Sequence, residues 1–205
     1  GFDKDDVVVK LRLNSDPELE GIYHELNLKY QDSDELSDQS YVGLAEADFR
    51  RDPHERYGLT AYDNMDNAHD TFSLNYIADL GDLEFSATIY ENEFARNWFK
   101  VDKIDNGKVY GLGNGINNII AAANTGNLDA RSILQGTNSQ AIEIKLKNNN
   151  RAYISEGTDI KIQYSTDKQT FTAGYRSTED SEDRFQIYEY ATWSGGNLST
   201  LSEGS

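Results

Sequence analysis

Six segments of this 205-residue chain alternate apolar and polar side chains with a period of two residues. Successive side chains of a β-strand point to opposite faces of a sheet, so this period is typical of strands with one apolar and one polar face. The apolar positions are, segment by segment, Val7, Val9, Leu11 and Leu13; Ile22, Leu26, Leu28 and Tyr30; Phe72, Leu74, Tyr76 and Ala78; Leu83, Phe85, Ala87 and Ile89; Ile160, Ile162 and Tyr164; and Phe171, Ala173 and Tyr175. His24 interrupts the apolar side of the second segment. The alternation predicts an all-β fold of half-buried strands.

A seventh and shorter alternation lies before the fifth predicted strand. Ile142, Ile144 and Leu146 share one side, and Glu143, Lys145 and Lys147 share the other. The segment either extends a neighbouring strand or forms a hairpin of its own within a loop. The sequence therefore predicts six or seven strands.

The predicted strands are joined alternately by short and long connections. The short ones are Asn14–Glu20, Asp79–Asp82 and Ser165–Lys168, and the long ones are residues 33–68 and 101–140. Outer-membrane β-barrels have short periplasmic turns at one rim and long extracellular loops at the other, so this order favours antiparallel hairpins of a transmembrane barrel. A soluble β-sandwich is the alternative, although its packing does not require the alternation.

The composition is strongly acidic, with 36 Asp and Glu against 19 Lys and Arg and a formal net charge of -17. Such a surface repels phosphate backbones, so nucleic acid is not an expected partner. An aromatic content of 11%, including 13 Tyr, is too high for a disordered acidic chain, so the charge lies on a folded domain. The absence of Cys excludes disulfides and thiolate chemistry within the chain and is compatible with any compartment.

Much of the negative charge falls in segments predicted as loops, namely Asp32–Asp38, Asp63–Asn67 and Glu179–Asp183. The first is faintly similar to a calcium loop, but Leu36 occupies a ligand position and the required Gly is missing. We expect no metal site and no cofactor. Two short helices are predicted in the long connections, at Ala45–Arg51 and Asp129–Gln135.

No arrangement typical of an enzyme stands out. There is no Ser-His-Asp pattern, no carboxylate pair at catalytic spacing and no phosphate-binding Gly loop. The longest apolar run, Ile119–Ala123, is also far shorter than the roughly 20 residues of a membrane-spanning helix. The chain is therefore not expected to be an enzyme or a helical membrane protein.

Three stretches resemble the ferric-citrate class of TonB-dependent outer-membrane receptors, in an order and spacing that covers most of residues 5–190. The first, residues 39–66, is similar to that family's first long loop and returning strand, and the second, residues 87–100, is similar to its rising strand. The third comprises residues 146–157, 174–176 and 182–185. The matching motifs include Gln39-Ser40-Tyr41-Val42-Gly43-Leu44, Glu91-Asn92-Glu93-Phe94-Ala95-Arg96-Asn97-Trp98 and Asn148-Asn149-Asn150-Arg151-Ala152-Tyr153.

The resemblance implies a 22-stranded barrel with an N-terminal plug. Such a receptor takes up ferric siderophores or ferric citrate-like chelates across the outer membrane of a Gram-negative bacterium, with energy passed through TonB. Since no plug, TonB-contact segment or terminal barrel strand is recognised, residues 1–205 are expected to be an internal part of one barrel domain. The expected partners are a ferric chelate, outer-membrane lipid and, through the missing plug, TonB.

An anionic chelate requires cationic and hydrogen-bonding groups. The first long loop and the top of the fourth strand offer such groups, which we predict as ligand contacts: Arg50, Arg51, Arg56, Tyr57, Arg96, Asn97 and Trp98. The competing interpretation is that these arginines pair with neighbouring carboxylates such as Asp48 and Glu55. The alternative function for the whole chain is a secreted acidic β-domain that binds calcium or carbohydrate.

Overall fold

A computed structural model describes residues 1–16, 18, 22–105, 110–112 and 115–204. Its strands are β1 (Phe2–Asn14), β2 (Tyr23–Ser37), β3 (Asn64–Asp79), β4 (Leu83–Asp105), β5 (Ile142–Ser165), β6 (Thr170–Ser194) and β7 (Asn197–Gly204). Its helices are α1 (Glu46–Arg51), α2 (Ile116–Asn124) and α3 (Leu128–Gln135), with a 3₁₀ turn at Gly58–Thr60. No helix among the described residues is long and apolar enough to cross a membrane.

All seven strands form one antiparallel sheet in sequence order, each paired with its neighbour along the chain. In the described part of the chain, β1 and β7 do not pair with each other, so the sheet is open. The long connections, residues 38–63 and 106–141, lie at one end of the sheet, which we call the loop end. The connections 80–82 and 166–169 lie at the other, the turn end, as does 15–22, which falls partly outside the described residues.

The six predicted strand segments are all confirmed, and the seventh alternation is the first part of β5 rather than a loop hairpin. Both predicted short helices are present as α1 and α3. Helix α2 was not predicted, and neither was β7, which follows a turn through Gly195 and Gly196. Both of these glycines have positive φ, a conformation that suits a two-residue hairpin turn.

The main correction concerns the acidic segments, which were predicted as loops. Asp32–Ser37 belongs to β2, Asn64–Asn67 to β3 and Glu179–Asp183 to the middle of β6. Backbone pairing with neighbouring strands outweighs the low strand propensity of Asp and Asn in these segments. The strands therefore extend well beyond the apolar alternation, and the long connections are shorter than predicted.

One face of the sheet carries the predicted apolar positions side by side, and we call it the banded face. The register aligns Leu11, Leu28, Leu74 and Ile89 in one row across four strands. Many side chains of this apolar band are at least 40% exposed, among them Val7, Val9, Leu11, Leu13, Tyr30, Phe72, Ile89, Ile162, Tyr164, Phe171 and Tyr175. The band thus leaves a wide apolar surface uncovered.

The opposite face, which we call the polar face, is the more shielded one over the middle of the sheet. Along β4, Asn92 and Phe94 on the polar face are half-buried, whereas Glu91 and Glu93 on the banded face are exposed. The same alternation continues along β5, where Arg151 and its polar-face neighbours are half-buried. In the middle of the sheet, the polar face is therefore less accessible to solvent than the banded face.

The buried core lies at the loop end, again on the banded face. Its strand residues are Val101, Ile104, Ile142, Ile144, Leu146, Ala191 and Trp193, and the residues packed on them come from the long connections, including Ile119, Ala123, Ile133 and Leu134. The Trp193 indole N–H donates to the Ile133 carbonyl at 3.2 Å. Helices α2 and α3 therefore cover the upper end of the same face that is bare at the turn end.

Buried polar contacts join the two long connections to each other. The Asp48 carboxylate, 1% exposed, accepts from Tyr57 at 2.7 Å and pairs with Arg51 and with Arg131 of α3. Gly58 lies so close to α3 that an added Cβ would be 2.5 Å from the Gln135 carbonyl oxygen. The connections are thus docked as one unit on the sheet.

Candidate anion-binding surface

Three arginines lie directly opposite one another on the polar face. Arg96 of β4 pairs with Arg151 of β5, and Arg151 pairs with Arg184 of β6. Residues directly opposite on one face of an antiparallel pair have Cβ atoms about 4.5 to 5.5 Å apart, and like charges in such positions destabilise the pair. The arginine row is therefore an arrangement that the sheet alone does not favour.

Lysines continue this positive charge toward the loop end. Lys100 lies opposite Lys147, and Lys103 lies opposite Lys145, on the same face as the arginines. We call the seven residues together the cationic surface: Arg96, Lys100, Lys103, Lys145, Lys147, Arg151 and Arg184. They are seven of the 19 Lys and Arg in the chain, gathered on three neighbouring strands.

Few carboxylates compensate this charge. Within the part of the chain that the structure describes, Arg151 is the one member of the cationic surface with a carboxylate oxygen within 4.0 Å, from Glu182 at 3.3 Å. By contrast, Arg176 lies lower on the same face of β6 and is paired with Asp159 at 2.5 Å. In a chain with 36 Asp and Glu, this leaves the cationic surface as a local reversal of the overall charge.

Aromatic rings hold two of the lysines in place. Lys100, 7% exposed, has its Nζ 3.5 Å from the Trp98 ring centroid and 4.1 Å from that of Tyr41. The Nζ of Lys145 lies 3.5 Å from the centroid of the Tyr188 ring. Burial, together with the nearby charge of Lys147, lowers the pKa of Lys100. The negative ring faces stabilise ammonium groups that have no carboxylate beside them.

Several polar atoms of the same surface are buried and have no hydrogen-bond partner in the described protein. They are Nε of Arg96 and Arg151 and Oδ1 of Asn67 and Asn149. Asn67 lies opposite Arg96, and Asn149, only 5% exposed, lies opposite Trp98. Unpaired buried polar groups cost free energy, so a cluster of them beside uncompensated cations points to a polar ligand.

A buried carboxylate, Asp63, joins the first long connection to β4 behind this surface. It is 1% exposed, accepts from the Val101 amide at 2.9 Å and from the Ser40 hydroxyl at 2.9 Å, and has Arg56 and Lys100 as nearby charges. Burial outweighs these favourable contacts and raises the pKa of Asp63 to about 6. The attachment of residues 38–63 to β4 is therefore sensitive to pH.

The structure divides the predicted ligand contacts into three groups. Arg96 and Trp98 belong to the polar face, on or beside the cationic surface, whereas Asn97 lies between them in sequence and so points to the banded face. Arg50 pairs with Glu46, and Arg51 pairs with Asp48 and Glu55.

The remaining two predicted contacts are also engaged within the protein. Arg56 pairs with Asp38 and donates to the Thr60 and Asp63 carbonyls. Tyr57 is buried, accepts from the Ala45 amide and donates to Asp48, and burial raises its pKa to about 12. These residues of the first long connection hold that connection together, and the structure does not bring them to the cationic surface.

Sequence reasoning missed most of the cationic surface, because the strands were not predicted to reach it. The missed residues are Lys100, Lys103, Lys145, Lys147, Arg151 and Arg184. The available signal was the alternation of positions along the strand. Lys145, Lys147 and Arg151 are all odd-numbered, whereas Ile142, Ile144 and Leu146 are all even-numbered. Once β5 is known to run unbroken from Ile142 to Ser165, this alternation places the three cations on one face.

Comparison with known proteins adds no assignment: no protein-family model matches the chain, and a search of curated proteins finds no significant match. Within the described ranges, no group of three or more His, Asp or Glu is placed to hold a metal ion. The geometry offers a cationic and aromatic surface that is partly shielded. Guanidinium and ammonium groups arranged in this way can hold anions through charge-assisted hydrogen bonds.

Proposed function

We propose that this chain is part of the barrel wall of a TonB-dependent outer-membrane receptor that takes up ferric siderophores or ferric citrate-like chelates. The observation that carries the proposal is the apolar band, which stays largely uncovered on one face of the sheet while the opposite face carries polar side chains. Soluble monomers rarely expose contiguous apolar patches beyond a few hundred Å². A lipid bilayer would cover such a band, so its apolar side chains would no longer be exposed to water.

The apolar band spans about seven residues per strand, for example His24–Tyr30 in β2 and Leu83–Ile89 in β4. At about 3.3 Å per residue this is roughly 23 Å along a strand, which a barrel tilt of about 35 to 45° reduces to a height of roughly 16 to 19 Å. The band would therefore fill most of the apolar belt of about 25 Å on outer-membrane barrels. Within lipid the two open edges would leave backbone groups unpaired, so β1 and β7 would pair with further strands of the same barrel.

The carboxylates above the band fit the boundary between lipid and water. On the banded face, Asp32, Asp70 and Glu93 form one row, and Glu91, Glu156 and Glu179 form another. Charged side chains become tolerable where the hydrocarbon ends. The loop end with its helices would then lie outside the cell, and the polar face would line the passage, with the cationic surface near its outer mouth.

The proposal can be tested by finding which side of the membrane each end of the sheet faces. Because the chain has no Cys, single-cysteine variants can serve as probes. Leu128→Cys in α3, 79% exposed, probes the loop end, and Asp167→Cys probes an exposed turn at the other end. In the full-length protein on intact cells, we expect a membrane-impermeant thiol reagent to label Leu128→Cys at once. Asp167→Cys should react only after the outer membrane is permeabilised.

Two outcomes would contradict the proposal. Labelling of Asp167→Cys but not Leu128→Cys on intact cells would invert the orientation. Equal labelling of both variants in protein recovered without detergent would reject the membrane setting and favour the secreted acidic β-domain.

A further inference from the structure

We propose that residues 39–42 form a strap that closes over Lys100 in acid and opens toward neutral pH, with Asp63 as the switch. The strap belongs to the first long connection and lies against Trp98 and Lys100 of β4. The switch depends on contacts at the loop end. It therefore goes beyond the proposed receptor function and does not require a membrane.

Aromatic contacts place the strap over the end of β4. The Trp98 indole N–H donates to the Gln39 carbonyl at 3.3 Å, and the Tyr41 ring meets the Trp98 ring edge-on, with centroids 6.4 Å apart. The same Tyr41 ring covers the Lys100 ammonium, whose Nζ lies 4.1 Å from the ring centroid. Lys100 is only 7% exposed. The strap is thus one of the elements that separate this amine from water.

Asp63 joins the strap to the strand behind it. One carboxylate oxygen accepts from the Ser40 hydroxyl at 2.9 Å, and the other accepts from the Val101 amide at 2.9 Å. The Ser40 oxygen accepts in turn from the Val42 amide at 3.0 Å, so one hydroxyl both bends the strap and attaches it. With the strap closed, Asp63 is 1% exposed. Opening the strap would break the Ser40 contact and bring water to the carboxylate.

The cations near Asp63 do not compensate for its burial. They are Arg56, from the same connection, and Lys100, from β4. Arg56 pairs with Asp38 and donates to two backbone carbonyls of the connection, one of them that of Asp63. Lys100 interacts with further charged groups, which are Lys147, Arg96 and Asp102. The attraction of Arg56 and Lys100 is therefore smaller than the cost of burying the Asp63 charge.

Ionisation of Asp63 favours an open strap. With the strap closed, burial raises the pKa of Asp63 to about 6, whereas a carboxyl in contact with water has a pKa of about 3.9. The closed strap is therefore most favoured below pH 4, and it loses this advantage as the pH rises through 6. These two pKa values imply that the ratio of open to closed molecules rises about 100-fold overall, of which about tenfold falls between pH 5 and 7.5.

Acetylation of Lys100 in the purified full-length protein measures how often the strap opens. The protein is treated with acetic anhydride at several pH values from 5 to 7.5, and mass spectrometry of peptides gives the rate at Lys100 relative to that at Lys168. Lys168 lies in an exposed turn at the turn end, so it corrects for the pH dependence of amine acylation itself.

Three variants separate the switch from other effects. Asp63→Asn keeps the size of the side chain and an acceptor for the Val101 amide but cannot ionise. Asp102→Asn is the matched control, because Asp102 also acts on Lys100 but belongs to β4 itself. Tyr41→Ala removes the ring that covers Lys100.

We expect the relative rate at Lys100 to rise about tenfold from pH 5 to 7.5 in the wild type and in Asp102→Asn. In Asp63→Asn it should change less than about twofold, because no charge is left to linkage. Tyr41→Ala should react at pH 5 at least as fast as the wild type does at pH 7.5.

A wild-type rate ratio that stays flat or falls with pH would overturn the inference. An equal rise in Asp63→Asn would also overturn it, since another group would then control access to Lys100. Ser40→Ala gives a second test that leaves the carboxylate in place. Without its bond to Asp63, the strap should open more often and the ratio at pH 5 should rise, and no rise would show that this contact does not hold the strap.

Discussion

The two ends of β5 lie in different surroundings, although both belong to the same face of the sheet. In β5, Ile142 and Ile144 at the loop end are each 1% exposed, whereas Ile162 and Tyr164 at the turn end are 44% and 46% exposed. All four alternate with polar residues in the same phase, so the sequence pattern of the strand is the same at both ends. The difference lies in what covers them.

At the loop end the cover is protein, supplied by α2 and α3 of the second long connection. At the turn end, no part of the described chain covers the apolar side chains. Between the two ends lies a zone of carboxylates, whose polar side chains need no covering layer. An apolar alternation therefore specifies a face of the sheet but not the medium that the face meets. Substitutions at the two ends should therefore fail in different ways.

The largest effect is expected from Trp193→Ala at the loop end. This change removes a buried indole and its hydrogen bond to Ile133, and truncations of this kind cost about 3 to 5 kcal/mol. Hydrogen exchange in α2 and α3 should accelerate by orders of magnitude while the rest of the sheet keeps its protection. Tyr175→Ala, on the same face of β6 but 63% exposed, should leave both helices unchanged. Equal effects of the two substitutions would remove the distinction between the ends.

At the turn end, arginine substitutions should discriminate between the two faces. Leu74→Arg or Phe85→Arg would place a charge in the apolar band, at a cost of roughly 2 to 4 kcal/mol in a barrel embedded in lipid. Asn75→Arg and Thr88→Arg add the same charge to the polar face, where the residues opposite, Asn27 and Asp159, are polar. The yield of heat-resistant, folded protein in membranes should fall for the first pair only. If both pairs lost folded protein alike, the assignment of faces would be wrong.

A pH effect should be confined to the loop end. The folded-state pKa of Asp63, about 6, lies above its unfolded value near 3.9, so the group stabilises the docked connection most below pH 4. That stability should decline as the pH rises to 6, by about 2 to 3 kcal/mol, and then remain constant. Protection of the Val101 amide, corrected for the intrinsic exchange rate, measures this decline. Asp63→Asn should make the protection nearly independent of pH, and the same slope in this variant would assign the effect to another group.

The smallest effect is expected in the carboxylate zone between the two ends. Glu156 lies directly between Glu91 and Glu179. Like charges that face each other on neighbouring strands destabilise the strand pair by a few tenths of a kcal/mol up to about 1. Glu156→Gln should therefore stabilise the protein by about 0.5 kcal/mol in denaturant titrations at low salt, and less at high salt because ions screen the repulsion. Glu35→Gln, on the polar face of β2 with Lys4 and Asn67 opposite it, is the comparison variant and should have no stabilising effect. Destabilisation by Glu156→Gln would show that these carboxylates do not repel one another.

The strands of the apolar band were predictable from sequence because each carries its own period-two signal. The upper parts of β2, β3 and β6 were not, since Asp, Glu and Asn dominate them and only pairing with neighbouring strands makes them extended. The arginine row depends on register, which pairs Arg96 with Arg151 and Arg151 with Arg184 over dozens of intervening residues. Local patterns contain no information on such pairings, so the candidate ligand contacts chosen from sequence came mainly from one loop, where arginines are close together along the chain. In the structure those arginines pair with their neighbours, as the competing interpretation expected.

If the proposed function is right, the bare apolar band meets lipid while the polar face meets water. Spin labels on single cysteines along residues 83–90 of the full-length protein, reconstituted in bilayers, test this most directly. Collisions with oxygen, which dissolves in lipid, should peak at Phe85 and Ile89, and collisions with a water-soluble nickel complex should peak at Ser86 and Thr88. Nickel access that is equally high at all four positions, with no alternation, would contradict the account.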